Sequence, residues 1–230
     1  SGYDRGTMLS GTWELDEPQA PDHGYRTGRI KLGTESSGGF KNITVTNCIF
    51  EHCRGLALET VDGGHLEDIE ISHITMRHIV NAGIFLRLGA RMRSPEGTPA
   101  GSMKRIRISH INVYNVDSRY SSIISGIPNG IIEDVTFDHI HLYYKGGYTK
   151  EDGKRELPEQ EKVYPEPWIF GTIPAKGFYI SHAKNISFHH INFYYEKPDG
   201  RPLFVTKDVE NIRLTDIREN GENVSVTINQ

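Results

Sequence analysis

Apolar residues in this chain recur in a phrase rather than in a helical period. The phrase appears six times, as Asn42-Ile-Thr-Val-Thr-Asn-Cys-Ile-Phe50, Asp68-Ile-Glu-Ile-Ser-His-Ile-Thr-Met76, Arg105-Ile-Arg-Ile-Ser-His-Ile-Asn-Val113, Asp134-Val-Thr-Phe-Asp-His-Ile-His-Leu142, Asn185-Ile-Ser-Phe-His-His-Ile-Asn-Phe193 and Asn211-Ile-Arg-Leu-Thr-Asp-Ile-Arg-Glu219. Aligned, it gives three apolar columns. The first is Ile43, Ile69, Ile106, Val135, Ile186 and Ile212; the second is Val45, Ile71, Ile108, Phe137, Phe188 and Leu214; the third is Cys48, Ile74, Ile111, Ile140, Ile191 and Ile217. The first two columns are two residues apart, the period of a strand. The third lies three further on, so the chain must turn a corner between them.

Between the phrases lie shorter apolar segments: 28–33, 55–59, 83–87, 121–125, 177–181 and 202–205. First-column residues are spaced 26, 37, 29, 51 and 26 apart. A fixed repeat with insertions is the mark of stacked, quasi-one-dimensional folds, whose insertions collect in loops. The shortest spacing suits one turn of a right-handed parallel β-helix, with like residues stacked roughly 4.8 Å apart. Leucine-rich repeats would need a different pattern, and the segments are too short and β-branched for helix pairs. The expected architecture is a single all-β solenoid over residues 1–230, a right-handed parallel β-helix with no hairpin turns between neighbouring strands. The extra length falls in two polar inserts, about 94–102 and 145–174.

Composition narrows the function classes. The chain has 230 residues, 36% hydrophobic and 24% charged, with a net charge of -4. That balance argues against a nucleic-acid partner, and no run approaches the roughly 20 apolar residues of a membrane helix. Two cysteines, Cys48 and Cys53, are too few for a disulfide framework or a four-ligand zinc site. Cys48 falls in an apolar column and reads as a small buried hydrophobe. The chain opens at Ser1 without a leader pattern, as a processed or truncated chain would. No P-loop, dinucleotide fingerprint or Ser-His-Asp order is present.

A polar column precedes the third apolar one: Asn47, His73, His110, His139, His190 and Asp216. Four histidines at one position invite a metal reading. The corner reading is stronger, since stacked polar side chains there satisfy turn backbone groups. No cofactor or metal is therefore expected. Asn42-Ile-Thr, Asn185-Ile-Ser and Asn223-Val-Ser match glycosylation acceptors, but in the first two the strand phrase already explains the pattern.

The shorter segments define a second face. With Leu56 and Leu58 inward, Ala57 and Glu59 point out; the same register turns Phe85 and Arg87 out, then Tyr179 and Ser181. Lys31 is expected opposite Glu59, making Lys31, Glu59 and Arg87 a charged stripe. It reads equally as a solvated ladder or a ligand subsite. Arg87, Arg91 and Arg93 suit sugar carboxylates, which guanidinium binds bidentately; alternatively they pair with Glu59, Asp62 or Glu96. Tyr164, Trp168 and Tyr179 offer apolar ring faces to a sugar, or pack the long insert onto the strands.

Two segments carry a more specific likeness. Gly33-Thr-Glu-Ser-Ser-Gly-Gly39, followed by Lys41-Asn-Ile43, and Cys53-Arg-Gly-Leu-Ala-Leu-Glu-Thr-Val-Asp-Gly-Gly-His-Leu-Glu-Asp-Ile69 resemble the polygalacturonase-like glycoside hydrolases of family 28, bacterial exo-acting members above all. The resemblance implies a right-handed parallel β-helix and inverting hydrolysis of a pectic or related plant cell-wall polysaccharide. It also implies a secreted or periplasmic location and no cofactor. The family's catalytic aspartates, in an Asn-x-Asp block and an Asp-Asp pair, precede the first matching block. Residues 1–27 contain no asparagine, and no Asp-Asp pair occurs in the chain. The family's histidine falls at Thr27, and its Arg and Lys fall at Ala57 and Glu59. The chain thus reads as the C-terminal part of a divergent member, its catalytic carboxylates supplied from upstream or by another chain. Lys31, Glu35, Glu59, Arg87, Arg91 and Tyr179 are the candidate substrate-binding residues. The alternative is a non-catalytic carbohydrate-binding or structural β-helix module. A lyase would want a calcium-binding acidic cluster, and no dense Asp group shares one face.

Overall fold

A computed structural model describes residues 29–35, 37–226 and 228. Eleven strands account for nearly all regular structure: β1 (Lys31–Leu32), β2 (Phe40–Glu51), β3 (Leu56–Thr60), β4 (His65–Ile79), β5 (Ile84–Leu88), β6 (Ser102–Val116), β7 (Ser122–Ser125), β8 (Ile132–Tyr144), β9 (Phe178–Tyr195), β10 (Phe204–Glu219) and β11 (Glu222–Asn223). The only helical turns among the described residues are short 3-10 turns at Asp152–Lys154 and Pro167–Phe170. The protein is all-β.

The strands form one sheet in the order β1-β3-β5-β7-β9-β8-β6-β4-β2, and β10 adds to β9. Every pairing along that path is parallel, with short strands on one side and long strands on the other. β9 joins the two sides. Its first residues pair with β7 and its remainder with β8, so the sheet nearly closes on itself. An edge in such a sheet is a liability, and β9 removes two of them.

The long strands are not straight. β4 bends at Asp68, His73 and His78, and β6 at Arg105, His110 and Asn115, each with φ between 54° and 58°. That left-handed backbone ends one extended run and starts the next in a new direction. Asn, Asp and His tolerate it better than other non-glycine residues. The polar column of the repeat is therefore a corner column, since Asn47, His139, His190 and Asp216 share the conformation.

The three apolar columns pair in the expected register. Ile43, Ile69, Ile106, Val135, Ile186 and Ile212 face one another strand to strand, as do the second and third columns. On β4, β6, β8 and β9 these side chains are buried, and they form one continuous core with Leu56, Leu58, Ile84, Leu86, Ile124 and Ile180 from the short strands. Phe137 lies flat on Phe188, ring centres 4.8 Å apart.

Two expectations need correction. Cys48 is half-exposed rather than buried; among the described residues β2 stands at the end of the sheet, paired with β4. Cys53 is the buried cysteine, and burial pushes its thiol up. A hairpin also exists. Asn220 and Gly221, both at positive φ, turn β10 back into antiparallel β11, the two-residue turn that Asn-Gly favours.

Candidate functional site

The outward residues of the short strands pair as Lys31, Ala57, Phe85, Ile123, Tyr179 and Val205. Two residues on, Glu59 pairs with Arg87, then Ser125, Ser181 and Lys207. Lys31 thus lies opposite Ala57, not Glu59. The Lys31 side chain spans the offset and places Nζ 2.7 Å from Glu59 Oε2. The backbone above Glu59 is so close that a Cβ on Gly33, at φ +121°, would meet the Glu59 carbonyl oxygen at 2.6 Å.

The stripe is not solvated. Glu59 is 0% exposed, Arg87 1% and Tyr179 5%. The insert covers them. Leu157, Phe170, Ile173 and Ala175 pack onto Ala57, Phe85, Ile123 and Tyr179 as a second apolar cluster. Tyr179 accordingly packs the insert and offers no open ring face. Arg87 does not pair with Glu59, Asp62 or Glu96. Its guanidinium donates to Ser125 Oγ at 2.6 Å, the Gly126 carbonyl at 3.2 Å, and the Glu159 and Gln160 carbonyls at 2.6 and 3.0 Å. It lies against the Phe170 ring, and burial pulls its pKa down to about 10. Arg87 is a pin between strand and insert.

A second pin lies at His182, which sequence reasoning passed over because it sits outside the repeat phrase. Its Nδ1 lies 2.7 Å from Asp208 Oδ2 and its Nε2 2.9 Å from Glu159 Oε2. Lys207 also holds Glu159.

At the other end the insert delivers Glu166 into a cluster of cations. Glu166 accepts hydrogen bonds from Arg29 and, at 3.3 and 3.2 Å, from Arg54 Nη1 and Asn81 Nδ2. Glu59 lies beside it, accepting from Thr34 Oγ1 at 2.9 Å. Its other oxygen has no hydrogen-bond partner and lies 3.8 Å from Arg29. Burial pushes the Glu59 carboxyl up, Lys31 pulls it back down, and the neighbouring Glu166 charge raises it further. With both carboxylates buried beside cations, this cluster ties the insert to the strands, and removing one partner would leave a buried charge uncompensated.

Outside that closed cluster is an open patch. Tyr164 is 49% exposed, with Lys31 Nζ 5.0 Å and the Arg91 guanidinium 5.7 Å from its ring centre. Asp62 holds Arg91 by Nε at 3.1 Å and by Nη2. Burial pushes the Asp62 carboxyl up, but hydrogen bonds from Arg91 and the Arg93 backbone outweigh it and hold the group low. Arg91 itself is mostly buried, and its Nη1, closed off from solvent, has no hydrogen-bond partner. Arg93 and Glu35, both exposed, pair at 3.1 Å. Trp168, 42% exposed, stacks over Arg54 at 5.1 Å. Of the six candidates, Lys31, Glu35 and Arg91 meet around this patch, Glu59 lies beneath it, and Arg87 and Tyr179 lie under the insert. Thr27, the position aligned to the family histidine, is outside the described residues. The chain's one Asn-x-Asp, Asn115-Val-Asp117, is a corner: Asn115 has positive φ and Asp117 Oδ1 accepts from the Arg119 N–H.

No protein-family model matches this chain, and neither a curated protein nor a solved structure is significantly similar to it.

Proposed function

We propose that the chain is a right-handed parallel β-helix that holds an acidic, pectin-type oligosaccharide on the patch around Tyr164. In this reading it is the substrate-holding part of a polygalacturonase-type glycosidase. The near-closed parallel sheet with repeat-matched columns supports the fold, and the right-handed sense follows the strong chirality of parallel crossovers. The observation that carries the function is the exposed Tyr164 ring, with the Lys31 ammonium 5.0 Å and the Arg91 guanidinium 5.7 Å from its centre and the exposed Arg93 nearby. A sugar ring presents an apolar face to an aromatic ring and a uronate carboxylate to guanidinium and ammonium. Glu35 and Arg93 would contact flanking hydroxyls.

Titration calorimetry with galacturonate oligomers and with neutral galactose oligomers tests this. Binding of the acidic series is expected, weakened by about tenfold in Tyr164→Ala and by a similar factor in Lys31→Gln, each contact being worth about 1–1.5 kcal/mol. Equal affinity for both series, or no loss in either variant, would overturn it. The second reading, a non-catalytic carbohydrate-binding module, is favoured by one observation: Glu59 and Glu166 are buried and paired to cations, so neither is free to act on a glycosidic bond.

A further inference from the structure

The corner histidines form a stack on the long-strand side, away from the insert's cation cluster. Rings of His73 and His110 lie 4.7 Å apart and 5° from parallel, and those of His110 and His139 lie 5.0 Å apart and 1° from parallel. The next step differs. His139 and His190 approach to 4.4 Å and splay by 29°.

The splay has a chemical cause. Asp138 Oδ1 lies 2.8 Å from His139 Nδ1 and 3.0 Å from His190 Nδ1. Both rings thus turn the same nitrogen toward one carboxylate oxygen. The residues that precede the corner column are Thr46, Ser72, Ser109, Asp138, His189 and Thr215. Asp138 is the one carboxylate among them, so only this step of the stack can converge in this way. All three donor atoms lie within 4.8 Å of one another.

We propose that Asp138, His139 and His190 bind a divalent transition ion of the zinc type. Ligand atoms at the usual 2.0–2.1 Å from a tetrahedral ion stand roughly 3.3 Å from each other. The two Asp138 contacts are within a few tenths of an ångström of that value, and the histidine nitrogens need only close toward it by rotation of exposed rings. Two imidazoles and one carboxylate select zinc, nickel or copper over calcium and magnesium, which take oxygen ligands. Three protein ligands leave positions for water. The ion would tie β8 to β9, which pair in space although the 51-residue spacing of Val135 and Ile186 separates them in sequence. The spacing argument against a metal ladder still holds for the other steps, where the rings are parallel and no carboxylate intervenes.

Calorimetry of the full chain with Zn²⁺ alone tests this. One ion per chain is expected, with Asp138→Asn and His190→Gln each weakening binding by about tenfold or more. His73→Gln, on the same stack but at a step without a carboxylate, should leave affinity unchanged. A melting temperature that rises with Zn²⁺ in the parent chain and not in Asp138→Asn gives a second readout. If His190→Gln does not fold, His139→Gln and Asp138→Asn carry the comparison. Absence of saturable binding near 1 mM Zn²⁺, where only about 4 kcal/mol of affinity is needed, overturns the proposal. So does an equal loss in His73→Gln, which would mean that the stack binds metal anywhere along its length.

Discussion

Left-handed backbone at a polar residue ends each short extended run, and the residue type there is a backbone choice first. At His110, φ is 54°, a region where a side chain branched at Cβ clashes with its own backbone while Asn or Gly does not. His110→Val is therefore expected to cost about 1–3 kcal/mol more than His110→Asn. Both variants lose the ring stack with His73 and His139, so the difference isolates the backbone. Urea melts of the two variants measure it, and equal midpoints would refute the corner assignment. This layer was legible in the sequence. A three-residue step between Val45 and Cys48, repeated five more times, demands a corner, and Asn, His and Asp before each third-column residue say how it is made. The exposure of Cys48 was not legible, because the repeat does not say which copy lies at the edge of the described strands.

Strands could be read from the sequence, but the segment between β8 and β9 could not. Equivalent residues in a parallel sheet face each other, so six copies of one phrase report their own partners. The insert 145–174 repeats nothing, and its anchors are far away in sequence: Glu166 meets Arg29 137 positions earlier and Arg87 reaches Glu159 72 positions later. Its hydrophobic residues Leu157, Phe170 and Ile173 gave no period to follow, yet they cover a stripe that the sequence left open between a solvated ladder and a ligand subsite. Arg87 shows what the insert depends on. Replacing it with Met keeps the stem but leaves the Glu159, Gln160 and Gly126 carbonyls without their donor. Hydrogen bonds to a charged group are worth about 1.5–3 kcal/mol each, and orphaned buried acceptors add to the cost. Arg87→Met is expected to free the insert before the strands unfold, since local opening draws on local contacts. Limited proteolysis under native conditions should then cut within 145–174 at least about tenfold faster, corresponding to about 1.4 kcal/mol of local opening. An unchanged cleavage rate, with global stability lowered instead, would make Arg87 part of the common core.

For the whole molecule the question is whether holding a glycan and cutting it belong to the same residues. Inverting hydrolysis needs an acid and a base roughly 6.5–9.5 Å apart, on either side of the bond and a water. Glu59 and Glu166 cannot fill those roles as they stand. Glu59 gives its two oxygens to Thr34, Lys31 and the neighbourhood of Arg29, Glu166 is spread over Arg29, Arg54 and Asn81, and both are closed off from solvent. The open patch contributes Arg93, the partly exposed Lys31 and the Tyr164 and Trp168 rings above a mostly buried Arg91, and its exposed carboxylate, Glu35, is paired to Arg93. In the proposed reading such a surface holds a ligand, and among the described residues around it no proton donor stands against a base. The 230-residue chain is accordingly expected to bind galacturonate oligomers without releasing new reducing ends, and to gain turnover only when joined to a segment that carries the acid and base. A reducing-end assay on the isolated chain, run beside the binding titration, separates the outcomes. Binding without turnover supports the division of labour. Turnover that disappears in Glu59→Gln would place the acid under the insert and require the insert to open during the reaction. Turnover that survives Glu59→Gln and Glu166→Gln together would put the acid and base elsewhere in this same chain, and the division proposed here would be wrong.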